Sequence, residues 1–226
     1  MIGQSAKAVL NAAHGSLVFQ RRVTALAAAL AQAIPQAGRV LDVGCGDGQV
    51  ALALMALRPD LRLEGVDVLQ RRVSHIPVTL YDGARLPFPD QHFDYVTIVD
   101  VLHHTDDPKA VLAEAARVSR HGVVVKDHLR EGWLAGPILR LMDWVGNRGH
   151  DVRLPYNYLD RRAWDAAFAH ANLAIAQEQC RLGLYQVPLN WIFERRLHFV
   201  TRLVPLAAAV DSGVSIPGQS GILRVD

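Results

Sequence analysis

Residues 40 to 48 read Val40-Leu41-Asp42-Val43-Gly44-Cys45-Gly46-Asp47-Gly48. The apolar run Val40 to Val43 predicts a buried strand. The alternate glycines Gly44, Gly46 and Gly48 remove Cβ atoms where the chain must turn sharply and let a ligand approach the backbone. A dinucleotide fingerprint places its third glycine one position later, where Gln49 stands. That substitution argues against a nicotinamide oxidoreductase.

Helix and strand patterns alternate on both sides of this turn. Val23, Leu26, Ala27, Leu30 and Ile34 recur at helical spacing and stop at Pro35. Gln49 to Leu57 is apolar nearly all round and ends before Pro59, as a helix packed on a sheet would. Strands are expected at Leu61 to Val66, Val78 to Tyr81 and Phe93 to Val99. The first two end at Asp67 and Asp82, and the third ends at Asp100. Asp107 can cap a helix with Pro108 in its first position and Val111, Leu112, Ala115 and Val118 on one face. That helix is expected to stop at Gly122, with Arg117, Arg120 and His121 near its negative end, before a fifth strand from Val123 to Lys126.

The alternation implies a parallel sheet covered on both faces. Between the second and third strands, Val68 to Pro77 is too short and too poor in apolar positions for a crossover helix, so a distorted turn is expected there. Gly132 to Leu159 changes character and reads as a cap or substrate insertion over residues 132–159, rich in Trp133, Trp144, Tyr156 and Tyr158. Asp160 opens a further helix carrying Trp164, Ala167, Phe168 and Ala171 on one face. Strands around Ala174 to Cys180 and Leu197 to Leu203 follow, and residues 211–226 read as a loose tail. No internal repeat is present, and residues 1–226 read as one domain.

Composition narrows the function. Half of the 226 residues are hydrophobic, a fifth are charged and the formal net charge is +2, which describes a globular chain. The arginines are scattered in pairs rather than gathered into the basic stripe that nucleic acid needs, so no nucleic-acid partner is expected. Two cysteines, Cys45 and Cys180, are too few for a disulfide framework. No apolar stretch approaches the about 20 residues of a spanning helix, and no leader pattern is visible, so a cytoplasmic protein without stable membrane insertion is expected. The sequence leaves the oligomeric state open.

Four motifs together resemble the class I S-adenosylmethionine-dependent methyltransferases, in particular the small-molecule branch known as type 11. They are LDVGCGDG, the strand end GVD at Gly65 to Asp67, DGARLPFPDQHFDYV from Asp82 to Val96, and VDVLHHTDDPKAVLAEAARV from Val99 to Val118. The resemblance implies a Rossmann-like α/β fold: a seven-stranded, mostly parallel sheet with helices on both faces and an antiparallel last strand. The shortened link after the second strand departs from it, because a longer helix normally follows the ribose-binding acid. The implied cofactor is S-adenosylmethionine. Asp67, with Val68 beside it, would accept from the ribose hydroxyls, and Asp82 with Gly83 and Ala84 would meet the adenine edge. Gly44, Cys45 and Gly46, with Asp42, would hold the amino-acid end, and Asp100 and Val101 would line the sulfonium end. Cys45 reads as a small residue filling the loop rather than a nucleophile.

The implied reaction is in-line methyl transfer to a small hydrophobic or aromatic acceptor, which positioning and water exclusion can accelerate without an obligatory base. A phenol or enol acceptor would still benefit from proton removal, for which His104, His128 and His150 are the candidates. Of the adjacent His103 and His104, at most one should face the crevice, and His104 is preferred. Substrate contacts are expected from His104, Asp127, Trp144, Asn147, His150, Tyr156 and Asn157, which combine flat apolar surface with oriented polar groups. No acidic cluster suited to magnesium stands outside the cofactor set, so no metal is expected. The alternative is a cofactor-binding regulatory or assembly protein without transferase activity.

Overall fold

The structure, a computed structural model, describes residues 19–146, 156–194, 196–211 and 224–225. Its centre is one sheet in the order β3-β2-β1-β4-β5-β7-β6-β8. The strands are β1 (Gly38–Val43), β2 (Leu61–Asp67), β3 (Val78–Leu80), β4 (Phe93–Val99), β5 (Ser119–His128), β6 (Leu173–Gln179), β7 (His198–Pro205) and β8 (Arg224–Val225). Strands β3, β2, β1, β4 and β5 run parallel, and β7 runs antiparallel between β5 and β6. The expected seven strands are therefore present, together with a two-residue eighth that pairs parallel with β6. The rest of residues 212–226 lies outside the described residues.

Strand alternation divides the core between the two faces. Leu41, Val43, Val96, Ile98, Val123 and Val125 pack with α3 (Pro108–Val118) and α5 (Arg161–His170), where Trp164 and Phe168 are fully buried. Val40, Leu63, Tyr95 and Val124 point the other way and pack with a first helix, α1 (described over residues 19–33), and with α2 (Gln49–Leu57). The caps are as the sequence implies. Asp107 accepts the backbone N–H groups of Lys109 at 3.0 Å and Ala110 at 3.2 Å, and Asp160 accepts that of Ala163 at 2.9 Å.

Two features differ from, or explain, the expectation. Helix α3 ends at Val118, and Ser119 to His121 already belong to β5, so Gly122 is not a helix stop. Gly122 lies inside the strand at φ +152, where a Cβ would stand 2.1 Å from the carbonyl oxygen of Leu203 on β7; it is glycine because a neighbouring strand passes that close. The link from Val68 to Pro77 contains no helix, as expected. In place of a helix, its Ile76 is buried in the α2-side core, filling the space that Gly48 leaves by lacking a Cβ and sharing with Cys45 the space left at Gly65.

Within the insertion, α4 (Ala135–Gly146) packs with α6 (Asn190–Phe193), and Ala135, Leu139, Tyr158 and Leu197 form a small separate apolar cluster. Residues 147–155, which include Asn147 and His150, lie outside the described residues.

Candidate active site at the carboxyl edge of the sheet

In open α/β sheets ligands bind beyond the carboxyl ends of the strands where the strand order reverses. Here that place lies between β1 and β4. The three loop glycines all take left-handed backbone, with φ +70 at Gly44, +58 at Gly46 and +79 at Gly48. Their surroundings differ. A Cβ on Gly44 would stand 2.5 Å from Val101, and one on Gly48 would stand 2.6 Å from Ile76, but one on Gly46 would meet nothing within 4 Å. Gly44 and Gly48 are close-packing positions, whereas Gly46 leaves open space above the turn.

Asp67 ends β2 beside that space. Its Oδ2 accepts the Gly46 N–H at 2.8 Å and its Oδ1 accepts the Leu69 N–H at 2.8 Å. A carboxylate has about four lone-pair sites, so each oxygen keeps capacity for a ribose hydroxyl. Asp42 is buried at the end of β1 and accepts the Thr97 hydroxyl at 2.8 Å. Burial pushes its pKa up to about 7, with the Thr97 hydrogen bond opposing and the nearby Asp67 charge adding to the rise. Asp82 is exposed just after β3, and its Oδ1 accepts the N–H groups of Ala84 at 2.9 Å and Arg85 at 3.2 Å. Gly83 lies against the exposed Val68, and Val101 against Gly44. Cys45 is half-buried, and burial pushes its thiol up to about 12, an inert thiol at neutral pH.

A second group stands past the ends of β4 and β5. Asp100, at φ +56, is held by the Arg22 guanidinium at 2.6 Å and by the fully buried Lys126 ammonium. Burial would raise its pKa, but Lys126 and Arg22 outweigh that and hold it well below the usual carboxylate range. A 3-10 turn, Leu102–His104, then places His103 against Asp127, Nδ1 to Oδ1 at 2.7 Å. Asp127 is fully buried. It also accepts the Leu102 N–H at 3.0 Å on Oδ2 and the His128 N–H at 2.7 Å on Oδ1. Asp143 from α4 reaches in with Oδ2 3.5 Å from His103 Nε2 and Oδ1 3.6 Å from His128 Nε2, and it accepts the Tyr158 hydroxyl.

These charges set the protonation states. Burial works against charge on His103, but Asp127 and Asp143 outweigh it and push its pKa up to about 10. Burial likewise opposes ionisation of Asp143, and hydrogen bonds from His103 and His128 reverse the effect and hold it below the ordinary range. His104 moves the other way: burial first, then the neighbouring His103, lowers its pKa. It is therefore a neutral imidazole at pH 7, half-buried, with Nδ1 lacking a hydrogen-bond partner among the described residues.

The structure thus gathers Asp42, Gly44, Cys45, Gly46, Asp67, Val68, Asp82, Gly83, Ala84, Asp100 and Val101 along the carboxyl edges of β1 to β4. The carboxylate of Asp100 is committed to Arg22 and Lys126. Asp127, expected to contact the substrate, and His128, a candidate base, are instead buried, and Asp127 spends both oxygens on protein donors. Asn157 bridges to the 3-10 turn, its N–H donating to the His103 carbonyl and its Nδ2 to that of Thr105, both at 3.3 Å. Tyr156 lies under the Arg140 guanidinium, 5.6 Å from ring centre to Cζ, and Trp144 is half-exposed on α4. Sequence reasoning missed Arg22, Asp143 and His198. Asp143 opens the unusual stretch Asp143 to Leu159, and only the packing of α4 onto the sheet edge reveals its importance.

Residues 17–178 match the family described as "Methyltransferase domain". The chain belongs to that family, the class I S-adenosylmethionine-dependent methyltransferases, and both family and fold imply S-adenosylmethionine as the cofactor. Among curated relatives it is 33% identical over 132 residues to the 27-O-demethylrifamycin SV methyltransferase of Amycolatopsis mediterranei, covering 50% of this chain and 48% of that one. It is 35% identical over 152 residues to the ubiquinone/menaquinone biosynthesis C-methyltransferase of Cupriavidus necator, covering 56% and 62%. The chain spans about half the length of the curated relatives it matches. Among solved structures, a methyltransferase from Thermotoga maritima shares the fold at a TM-score of 0.58 and 18% identity, covering 87% of this chain and 96% of that one. The open space at Gly46 and the spare lone pairs on Asp67 fit the amino-acid and ribose ends of the cofactor. Among the described residues no helix is long and apolar enough to cross a membrane.

Proposed function

We propose that this protein transfers a methyl group from S-adenosylmethionine to a small, apolar or aromatic acceptor. The observation that carries the reading is the Asp67 to Gly46 hydrogen bond, at a glycine whose missing Cβ leaves open space at the switch point of the sheet. When bound, the cofactor supplies a methyl group on a sulfonium, which an acceptor nucleophile displaces in line. The chain's own part is placement. Asp67 and the Gly44 to Gly46 turn hold the donor, with Asp82 at the adenine end, and the turn from Val101 to His104 forms the wall toward the acceptor.

His104 is the group best suited to take a proton from an acceptor hydroxyl. It is neutral at pH 7, and its Nδ1 has no hydrogen-bond partner among the described residues. An apolar acceptor is supported by the exposed Leu134, Leu141 and Trp144 on and beside α4, and by Trp191 and Ile192 on the adjoining α6. The relatives' names, a demethylrifamycin enzyme and a quinone-pathway enzyme, agree with an acceptor of this kind. Asn157 would fix the 3-10 turn that carries His104. Trp144 and Tyr156 would line the acceptor.

The test uses S-adenosylmethionine labelled in its methyl group, incubated with panels of demethylated quinols, hydroxylated macrocycles and free fatty acids, with products read by mass spectrometry. Label in a small apolar product is expected, and reduced turnover with retained cofactor affinity is expected for His104→Gln. Label appearing only in protein or nucleic acid overturns the acceptor class. Cofactor binding without any labelled product favours a cofactor-binding protein that is not a transferase.

A further inference from the structure

Each ring nitrogen of the buried His103 faces a carboxylate. Nδ1 stands 2.7 Å from Asp127 Oδ1, and Nε2 stands 3.5 Å from Asp143 Oδ2. A neutral imidazole carries one proton and would turn a lone pair toward one of these acids, whereas an imidazolium donates to both. The charged ring is the form that these surroundings fit. Asp127 is held in place to stabilise it. That carboxylate is fully buried and also accepts the Leu102 N–H at 3.0 Å and the His128 N–H at 2.7 Å, so it is anchored on two backbone donors besides the ring.

His104 shares the 3-10 turn with this charge. The two imidazole centres are 4.0 Å apart, with the planes inclined at 46°. The turn is pinned along its length. Asp127 takes the Leu102 N–H, the Thr105 hydroxyl donates to the Leu102 carbonyl at 2.8 Å, the His104 N–H donates to the Val101 carbonyl at 2.9 Å, and the Asn157 N–H donates to the His103 carbonyl. Like charges so close oppose one another strongly where water is largely excluded. Among the described residues, burial and then His103 disfavour a second proton on His104, while Asp143, Asp127 and Asp100 favour it, and the balance lies with the neutral ring. His128, with its ring centre 4.6 Å from that of His103, adds no charge at pH 7 because burial first of all lowers its pKa.

We propose that His103 is a positioning residue for His104: clamped by Asp127 and Asp143, it fixes the neighbouring ring and keeps it in the neutral, proton-accepting form. This rests on the reading of His104 as the group that takes the acceptor's proton. In that step the proton leaves the acceptor hydroxyl for His104, the oxygen takes the methyl group, and the carbon–sulfur electron pair stays on sulfur. His104 then carries its new charge beside the charge of His103, and readily gives the proton up again. Asp127, expected from the sequence to touch the acceptor, acts at one remove, through His103.

Full-length protein carrying carbon-13 at the histidine Cε1 positions would be titrated by NMR between pH 5 and pH 9, with the two rings assigned from the spectrum of His104→Gln and from their mutual contact. His103 is expected to keep its imidazolium signal through pH 8, and His104 to titrate below the ordinary histidine value of about 6.5. In His103→Gln, whose amide can still donate to Asp127, the His104 midpoint is expected to rise by about one pH unit or more. A midpoint unchanged or lowered in the folded variant overturns the proposal, since the loss of a merely structural His103 would not raise it. Should that variant fail to fold, the wild-type spectra decide. A His103 ring already neutral at pH 8, or a His104 midpoint at or above the ordinary value, overturns the proposal, and a charged His103 beside a neutral His104 supports it. No acceptor or methyl donor enters this experiment, so its failure is distinct from that of the transferase reading, which the labelled-methyl panels decide.

Discussion

The Asp67 carboxylate accepts the backbone N–H of Gly46 at 2.8 Å, tying the end of β2 to the turn that follows β1. One side chain thus both shapes the glycine turn and presents its remaining lone pairs to the space above it. Replacing it with Asn keeps the volume but removes the charge, and can place an amide N–H against the Gly46 donor. Asp67→Asn should weaken cofactor binding by about 1.5–3 kcal/mol, the range for hydrogen bonds to a charged group. Calorimetric titration with S-adenosylhomocysteine checks this, and circular dichroism should show the fold retained.

Gly44 and Gly46 should separate fold from binding. Each costs roughly 1–2 kcal/mol as Ala because of its left-handed backbone. In Gly44→Ala the new methyl also collides with Val101, 2.5 Å away, and overpacking adds about 1–3 kcal/mol. Gly46→Ala meets no protein atom within 4 Å. Denaturant unfolding should therefore rank Gly44→Ala as the less stable variant. Cofactor titration should show Gly46→Ala losing affinity out of proportion to its stability.

Asp42 makes stability depend on pH. Its pKa is raised in the folded chain to about 7, so between its unfolded value near 4 and pH 7 the folded state holds a proton that the unfolded state has released. Its contribution is complete below the unfolded pKa and is lost as pH rises through about 7, a span worth on the order of 4 kcal/mol at most. Asp42→Asn, which can still accept from Thr97, should flatten this part of the profile. The comparison is urea midpoints of the two proteins at pH 5 and pH 8.

Asp100 and Lys126 should respond unequally to mutation. Asp100→Asn leaves the fully buried Lys126 ammonium without its counter-charge and should cost about 3–5 kcal/mol. Lys126→Met leaves Asp100 paired with Arg22 at 2.6 Å, so its cost should be smaller. Equal losses in chemical denaturation would mean that Arg22 does not support Asp100.

The order of elements was legible because local signals and tertiary structure agree. The strand before Gly44, the helix from Gln49 to Leu57, and the Asp107 and Asp160 caps all stand where residue pattern puts them. Gly122 misled because a glycine after a helix reads as a stop, whereas the reason for this one is the Leu203 carbonyl on a strand about eighty residues later. The row of acids proposed to meet the cofactor was legible for the same reason as the fold, since each acid marks the end of a predicted strand. The buried cluster was not: Arg22, Asp143 and His198 are distant in sequence and acquire meaning only when α1, α4 and β7 meet the ends of β4 and β5. The preference for His104 over His103 rested on their pointing apart. The structure adds the physical contrast between a charged, fully hydrogen-bonded ring and a neutral one with a spare nitrogen.

The most direct measurement is a calorimetric titration of the wild-type protein with S-adenosylhomocysteine, whose adenosyl and amino-acid portions test the cradle without turnover. Saturable binding at one site per chain is expected, together with a raised melting temperature. A folded protein that gives neither heat nor thermal protection would contradict the assignment of the Gly44 to Gly46 turn and Asp67 as a methyl-donor site.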